Sequence, residues 1–148
     1  MLFRSRVSGV KFDIDRLRGY MEESAKAEEN LVWTLQSAKN RPSPIDGYFG
    51  AVYYVGPIFS SFRGTEDAVA YYRELWDEVR ARMERGEGPM TPDGPMGPEK
   101  FRLVVEGPPN WTHFREFWKM FYDEGAVDRK STRLNSSHIQ KSRMPSSA

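Results

Sequence analysis

The sequence predicts an α/β fold in two parts: a mainly helical segment, then the opening of a parallel-sheet domain that is cut short. Three observations predict it. Apolar side chains recur at helical spacing through two long stretches before residue 85. A Gly/Pro-rich run, GEGPMTPDGPMGP at 86–98, then breaks the texture. Beyond it the order is strand, loop, helix, strand over 101–127, the pattern of a βαβ unit and hence of a parallel sheet. The resulting boundaries are a helical part over 1–85, a linker over 86–98, the truncated start of a second α/β lobe over 99–127, and a tail over 128–148.

The first helix starts at Asp13, a residue type whose carboxylate caps free N–H groups. Ile14, Leu17, Met21, Ala25, Leu31, Val32 and Leu35 make its predicted buried stripe, with Glu22, Glu23, Glu28 and Glu29 turned to water. Pro42, in the run NRPSP, stops it by removing an N–H donor and disfavouring helical backbone at Arg41. The following YFGAVYYV, 48–55, is too short for periodicity to separate strand from helix, and both stay open. Thr65 caps a second helix to about Met83, with Val69, Tyr72, Leu75, Trp76 and Val79 on its apolar side. After the linker, Phe101 to Val105 reads as a strand and Glu106 to Trp111 as a tight turn. Thr112 to Glu124 reads as a helix with a core stripe of Phe114, Phe117, Trp118 and Phe121. Gly125 supplies the C-terminal cap, and Ala126 and Val127 begin the next strand, as in a Rossmann-like or flavodoxin-like sheet.

Composition narrows the class. The chain has 148 residues, room for one domain, with 39% hydrophobic and 29% charged residues, a globular balance. Its net charge of +1 is uneven. The tail holds Arg129, Lys130, Arg133, Lys141 and Arg143 against Asp128 alone, a net of +4, which leaves −3 for residues 1–127. No electrostatic pull toward nucleic acid remains once the tail is set aside. Setting it aside is warranted because DRKSTRLNSSH and SRMPSSA both back-translate, in one frame and at the right separation, into a common short-read sequencing adapter. The tail is therefore expected to be artefactual or disordered, and the chain an interrupted piece of a longer protein. There is no cysteine, which excludes disulfides and thiolate metal sites within these residues. There is also no apolar run long enough for a membrane span, so neither a membrane nor a nucleic-acid partner is expected.

The best candidate site is EGPPNWTHF, 106–114. Ligands of open α/β sheets bind beyond the carboxyl ends of strands, which is where this loop falls. Gly107 and Pro108 shape a stiff turn, Asn110 offers an amide, Trp111 offers a flat apolar face, and the helix start offers N–H groups for an anion or oxyanion. Against this stands a purely structural reading in which Asn110 or Thr112 caps the helix and Trp111 is core. His113 is a weaker candidate, with no Ser, Cys or carboxylate constellation beside it. Arg63, in SSFRGT, has the fork to grip a phosphate or carboxylate, but Gly64 is equally explained as a turn residue. The four glutamates lack the spacing of a metal site. No catalytic residue is assigned.

The stretches VYYVGPIFSSFRGTEDAVAYYRELWDEV and EKFRLVVEGPPNWTHFREFWKMFYDEGAV, with the GVKFDIDRL opening and the RPSP stop, resemble the benzoyl-CoA reductase and 2-hydroxyacyl-CoA dehydratase family over residues 9–127. Within it the polar, rigid GPPNW loop is most similar to the B-type subunits of ATP-dependent reductases. The resemblance implies a cytoplasmic anaerobic enzyme in which two related subunits carry [4Fe-4S] clusters. It further implies an ATP-hydrolysing iron-sulfur activator as partner and an acyl-CoA as substrate. The reductases reduce an aromatic ring; the dehydratases, the alternative reading, release water through a ketyl radical. A noncatalytic scaffold subunit is a third. Family clusters are held by cysteines, so no metal ligand is expected in this chain, which alone should be inactive.

Overall fold

The computed structural model describes residues 3–50, 52–53, 62–105 and 110–128. A short helix α1, Phe3–Ser8, precedes the long helix α2, Ile14–Gln36. Asp13 caps α2 as its residue type predicts, its Oδ1 accepting the N–H groups of Asp15 and Arg16 at 3.0 Å each. The helix tightens into a 3-10 turn, Ser37–Lys39, before Pro42, and the Arg41–Pro42 peptide is cis. The ambiguous 48–55 stretch is helical where it is described: α3 covers 47–50 and resumes at 52–53, its entry capped by Asp46, whose Oδ1 accepts the Phe49 N–H at 2.7 Å. Helix α4, Glu66–Arg85, runs two residues past Met83 and ends at Gly86, whose φ of 67° suits the left-handed cap. Thr65 occupies the N-cap position without capping, because its hydroxyl donates backward to the Phe62 carbonyl instead.

The core lies between α2 and α4. Ala27, Ala68, Val69 and Tyr72 form one cluster under Leu31, Phe62, Tyr71 and Leu75. Ala38, Ile45 and Val79 form a second under Phe49 and Trp76. Alanines at 27 and 68 let the two helices approach closely while the larger Tyr72 and Val79 fill the flanks. Of the predicted α2 stripe, Leu31, Val32 and Leu35 are half-buried and Ala25 is exposed, while the buried positions of this helix are Ala27 and Thr34. Ile14, Leu17 and Met21 are exposed as well, and α2 joins the core cluster with α4 through Ala27 and Leu31.

The sheet is small. Strands β1, Phe101–Leu103, and β2, Ala126–Asp128, pair in parallel with Arg102 opposite Val127, and helix α5, Phe114–Asp123, connects them. This βαβ unit makes the chain compatible with α/β, although most of the described residues are helical. A two-stranded sheet does not define a Rossmann-like or flavodoxin-like strand order. The predicted first strand and its helix are slightly too long: β1 ends at Leu103, and α5 starts two residues after Thr112 and ends one before Glu124. Gly125 adopts the expected positive φ of 76°. Of the aromatic stripe on α5, Trp118 is buried at 2% exposure, whereas Phe114, Phe117 and Phe121 are half-buried around it. The tail beyond Asp128 lies outside the described residues.

The Gly/Pro-rich 86–98 run holds no regular element, yet it is anchored. Met90 is fully buried, and Gly88 passes so close to the Ser43 carbonyl that a Cβ there would collide with it. Arg102 of β1 ties the two ends of the chain together, donating to the carbonyls of Ala38, Lys39 and Asn40 and to the Glu99 carboxylate. Those carbonyls are the ones a helix terminus leaves without partners, so a guanidinium satisfies several at once. Glu99 in turn accepts the Ser43 N–H at 3.1 Å.

Candidate functional site

Residues 110–113 lead into α5. Asn110 Oδ1 accepts the His113 N–H at 3.4 Å, so the amide caps the helix start, as the structural reading of this residue proposed. His113 itself stands at the N-cap position with no side-chain capping bond and is exposed. Trp111 is not core: it is 56% exposed and lies flat on Phe114, ring centroids 5.1 Å apart and planes inclined by 11°. Such offset stacking holds an indole in one orientation while leaving its outer face open. Phe114 continues inward to Tyr48 of α3, at 5.1 Å, and edge-on to Trp118 at 6.4 Å.

Asn110, Trp111 and His113 are therefore adjacent at the carboxyl side of β1. Gly107 and Pro108 lie outside the described residues. Arg63 belongs elsewhere, in the exposed turn before α4, where Gly64 has a φ of 80° and packs against Tyr20 and Ser24 of α2. The open φ > 0 position and the close approach to α2 account for Gly64 without a ligand. Among the glutamates, Glu23 pairs with Lys26 at 2.6 Å, while Glu22, Glu28 and Glu29 face water.

Sequence reasoning missed two residues behind the loop. Asp46 is nearly buried and uses both carboxylate oxygens: one caps α3, and the other accepts the hydroxyl of Tyr122 in the last turn of α5. An Asp before a helix is a capping signal that a local reading can find. Its union with a tyrosine 76 positions later leaves no local trace. Asp46 also lines a cleft of about 510 Å3 with Ile45, Tyr48, Phe49, Tyr53 and Arg82. The size is within the ligand range. The Arg82 guanidinium already lies 5.9 Å from the Phe49 ring centre and pairs with Glu78 at 2.8 Å.

The chain contains no cysteine, and among the described residues no three His, Asp or Glu side chains converge as a metal site. These residues do not fit an iron-sulfur cluster, which thiolates normally hold. Among the described residues no helix is long and apolar enough to cross a membrane.

The family model for the D-component of 2-hydroxyglutaryl-CoA dehydratase matches residues 3–132. The B-type subunit of benzoyl-CoA reductase from Thauera aromatica is 70% identical over 122 residues, which is 82% of this chain and 28% of that protein. The alpha subunit of (R)-2-hydroxyisocaproyl-CoA dehydratase of Clostridioides difficile is 29% identical over 110 residues, 72% of this chain and 25% of that protein. The chain thus spans about a quarter of the length of these curated relatives. No solved structure matches it.

Proposed function

The chain belongs to the 2-hydroxyglutaryl-CoA dehydratase D-component family, and from that premise we propose that it is part of a reductase subunit acting on an aromatic acyl-CoA, benzoyl-CoA. One observation carries the choice of reaction. Identity is 70% to a benzoyl-CoA reductase subunit and 29% to a dehydratase subunit over similar spans, so the reductase reading is favoured over loss of water from a 2-hydroxyacyl-CoA.

In this reading the protein works in the cytoplasm beside a related cluster-bearing subunit. An ATP-hydrolysing iron-sulfur activator supplies low-potential electrons one at a time. Because these residues do not fit a cluster, the electron path runs through other parts of the assembly, and this segment contributes substrate binding. Gly107, Pro108, Asn110 and Trp111 shape the pocket wall. The outer face of Trp111, held by Phe114, offers an apolar plane to the aromatic acyl group. N–H groups in the first turn of α5 have no intrahelical acceptor and polarise the thioester oxygen. His113 and Arg63 are secondary contributors, at the helix start and in the turn before α4.

The test is the full-length subunit reconstituted with its partner and activator, assayed with benzoyl-CoA, ATP and a low-potential electron donor. Ring reduction is expected, and Trp111→Ala should raise the benzoyl-CoA KM or abolish turnover. Dehydration of a 2-hydroxyacyl-CoA with no ring reduction would overturn the reductase reading. Unchanged kinetics in the Trp111 variant, with only stability lowered, would make this side chain structural.

A further inference from the structure

We infer that Asp46 and Tyr122 are positioning residues for Trp111, holding it in place without themselves touching the substrate. The inference rests on the reading of Trp111 as part of the pocket. Segment 46–48 grips α5 at two points. Near its C-terminal end, Asp46 accepts the Tyr122 hydroxyl; in its first turn, Tyr48 packs on Phe114, the ring beneath Trp111. Phe114 and Tyr122 are eight residues apart, so the two attachments are separated by about 12 Å along the helix axis.

A helix held at one point can still pivot, whereas two points fix both its shift and its tilt. The second oxygen of Asp46 is committed to the Phe49 N–H, and Asp46 is nearly buried, so its carboxylate is itself held from the α3 side. The chain of contacts therefore runs from α3 through Asp46 and Tyr122 to the end of α5, and from α3 through Tyr48 and Phe114 to Trp111. Small misplacements of a substrate-positioning group lose large factors in rate and affinity, which is why a distant hydrogen bond can matter to binding.

Equilibrium binding of benzoyl-CoA to the purified full-length subunit assembly tests this, with Tyr122→Phe made alone and in a Trp111→Ala background. Alone, the hydroxyl deletion should weaken binding on the order of tenfold. In the Trp111→Ala background it should change the Kd by less than about twofold, because the group being positioned is gone. Equal losses in the two backgrounds, or unchanged binding with only a lowered Tm, would overturn the positioning role. Wild-type affinity of Trp111→Ala alone would instead overturn the pocket reading on which it rests. Asp46→Asn gives a second route that does not leave an oxygen stranded: its amide still accepts from Phe49 and turns a donor toward Tyr122. It should bind more tightly than Tyr122→Phe, and a loss larger than that of Tyr122→Phe counts against the inference.

Discussion

Arg102 sits between Phe101 and Leu103 on β1, and its guanidinium reaches three successive carbonyls at the end of α2 as well as Glu99. The pair is largely buried, at 14% and 8% side-chain exposure, so solvent screens it little. Removing the arginine would strand three acceptors and a carboxylate in one place. Arg102→Leu is therefore expected to lower stability by about 3 kcal/mol, read as a shift of the urea midpoint, with part of the loss restored by adding Glu99→Gln. A loss equal to that of an ordinary surface salt bridge, below about 1 kcal/mol, would show that the carbonyls find water instead. No sequence window contains this residue's role, since the carbonyls it satisfies lie more than 60 positions upstream. Trp111 teaches the same point in reverse: FRLVVEGPPNW places it at a strand end, but only Phe114 beneath it and open space above it separate a platform from a core residue.

At the scale of elements, periodicity and punctuation located both long helices, the βαβ order and the Gly125 cap, because those features depend on neighbours three or four residues away. They erred at the ends. Val104 and Val105 are as strand-prone as Leu103, yet the described strand β1 ends at Leu103, opposite Asp128. The first turns of α2 have the apolar spacing of a buried helix, yet Ile14, Leu17 and Met21 are exposed. Glycines likewise look alike in sequence and differ in space. Gly88→Ala should destabilise by roughly 1–3 kcal/mol through collision with the Ser43 backbone. Gly9→Ala, at a φ of 69° with open space around it, should lose only the roughly 1 kcal/mol of left-handed backbone strain. Thermal unfolding of the two variants checks the order; equal losses would mean that the close approach at Gly88 relaxes freely.

For the molecule as a whole, one contribution to stability at alkaline pH comes from Tyr71. Burial pushes the Tyr71 hydroxyl above its ordinary value of 10.0, because the phenolate is poorly solvated where the hydroxyl donates to the Tyr53 carbonyl at 3.0 Å. Its folded state holds the proton more tightly than the unfolded chain, so this contribution is present below pH 10.0 and is lost as pH rises above it. Tyr71→Phe should lower stability at neutral pH by about 1 kcal/mol for the lost hydrogen bond, read as a fall in Tm, and should make the further decline above pH 10.0 shallower. An alkaline decline as steep as in the unaltered protein would assign it to other groups. The amino-acid sequence by itself determined the helices, the parallel βαβ order, the strand-end position of the 106–111 loop and the kinship to acyl-CoA enzymes, because these rest on local spacing and on motifs. Only the tertiary structure decided that Trp111 faces outward on Phe114, that Arg102 closes the end of α2, and that Asp46 meets Tyr122. Each of those depends on which distant backbone and side-chain groups are brought within hydrogen-bond or stacking distance when the chain folds, and no spacing along the chain encodes that distance.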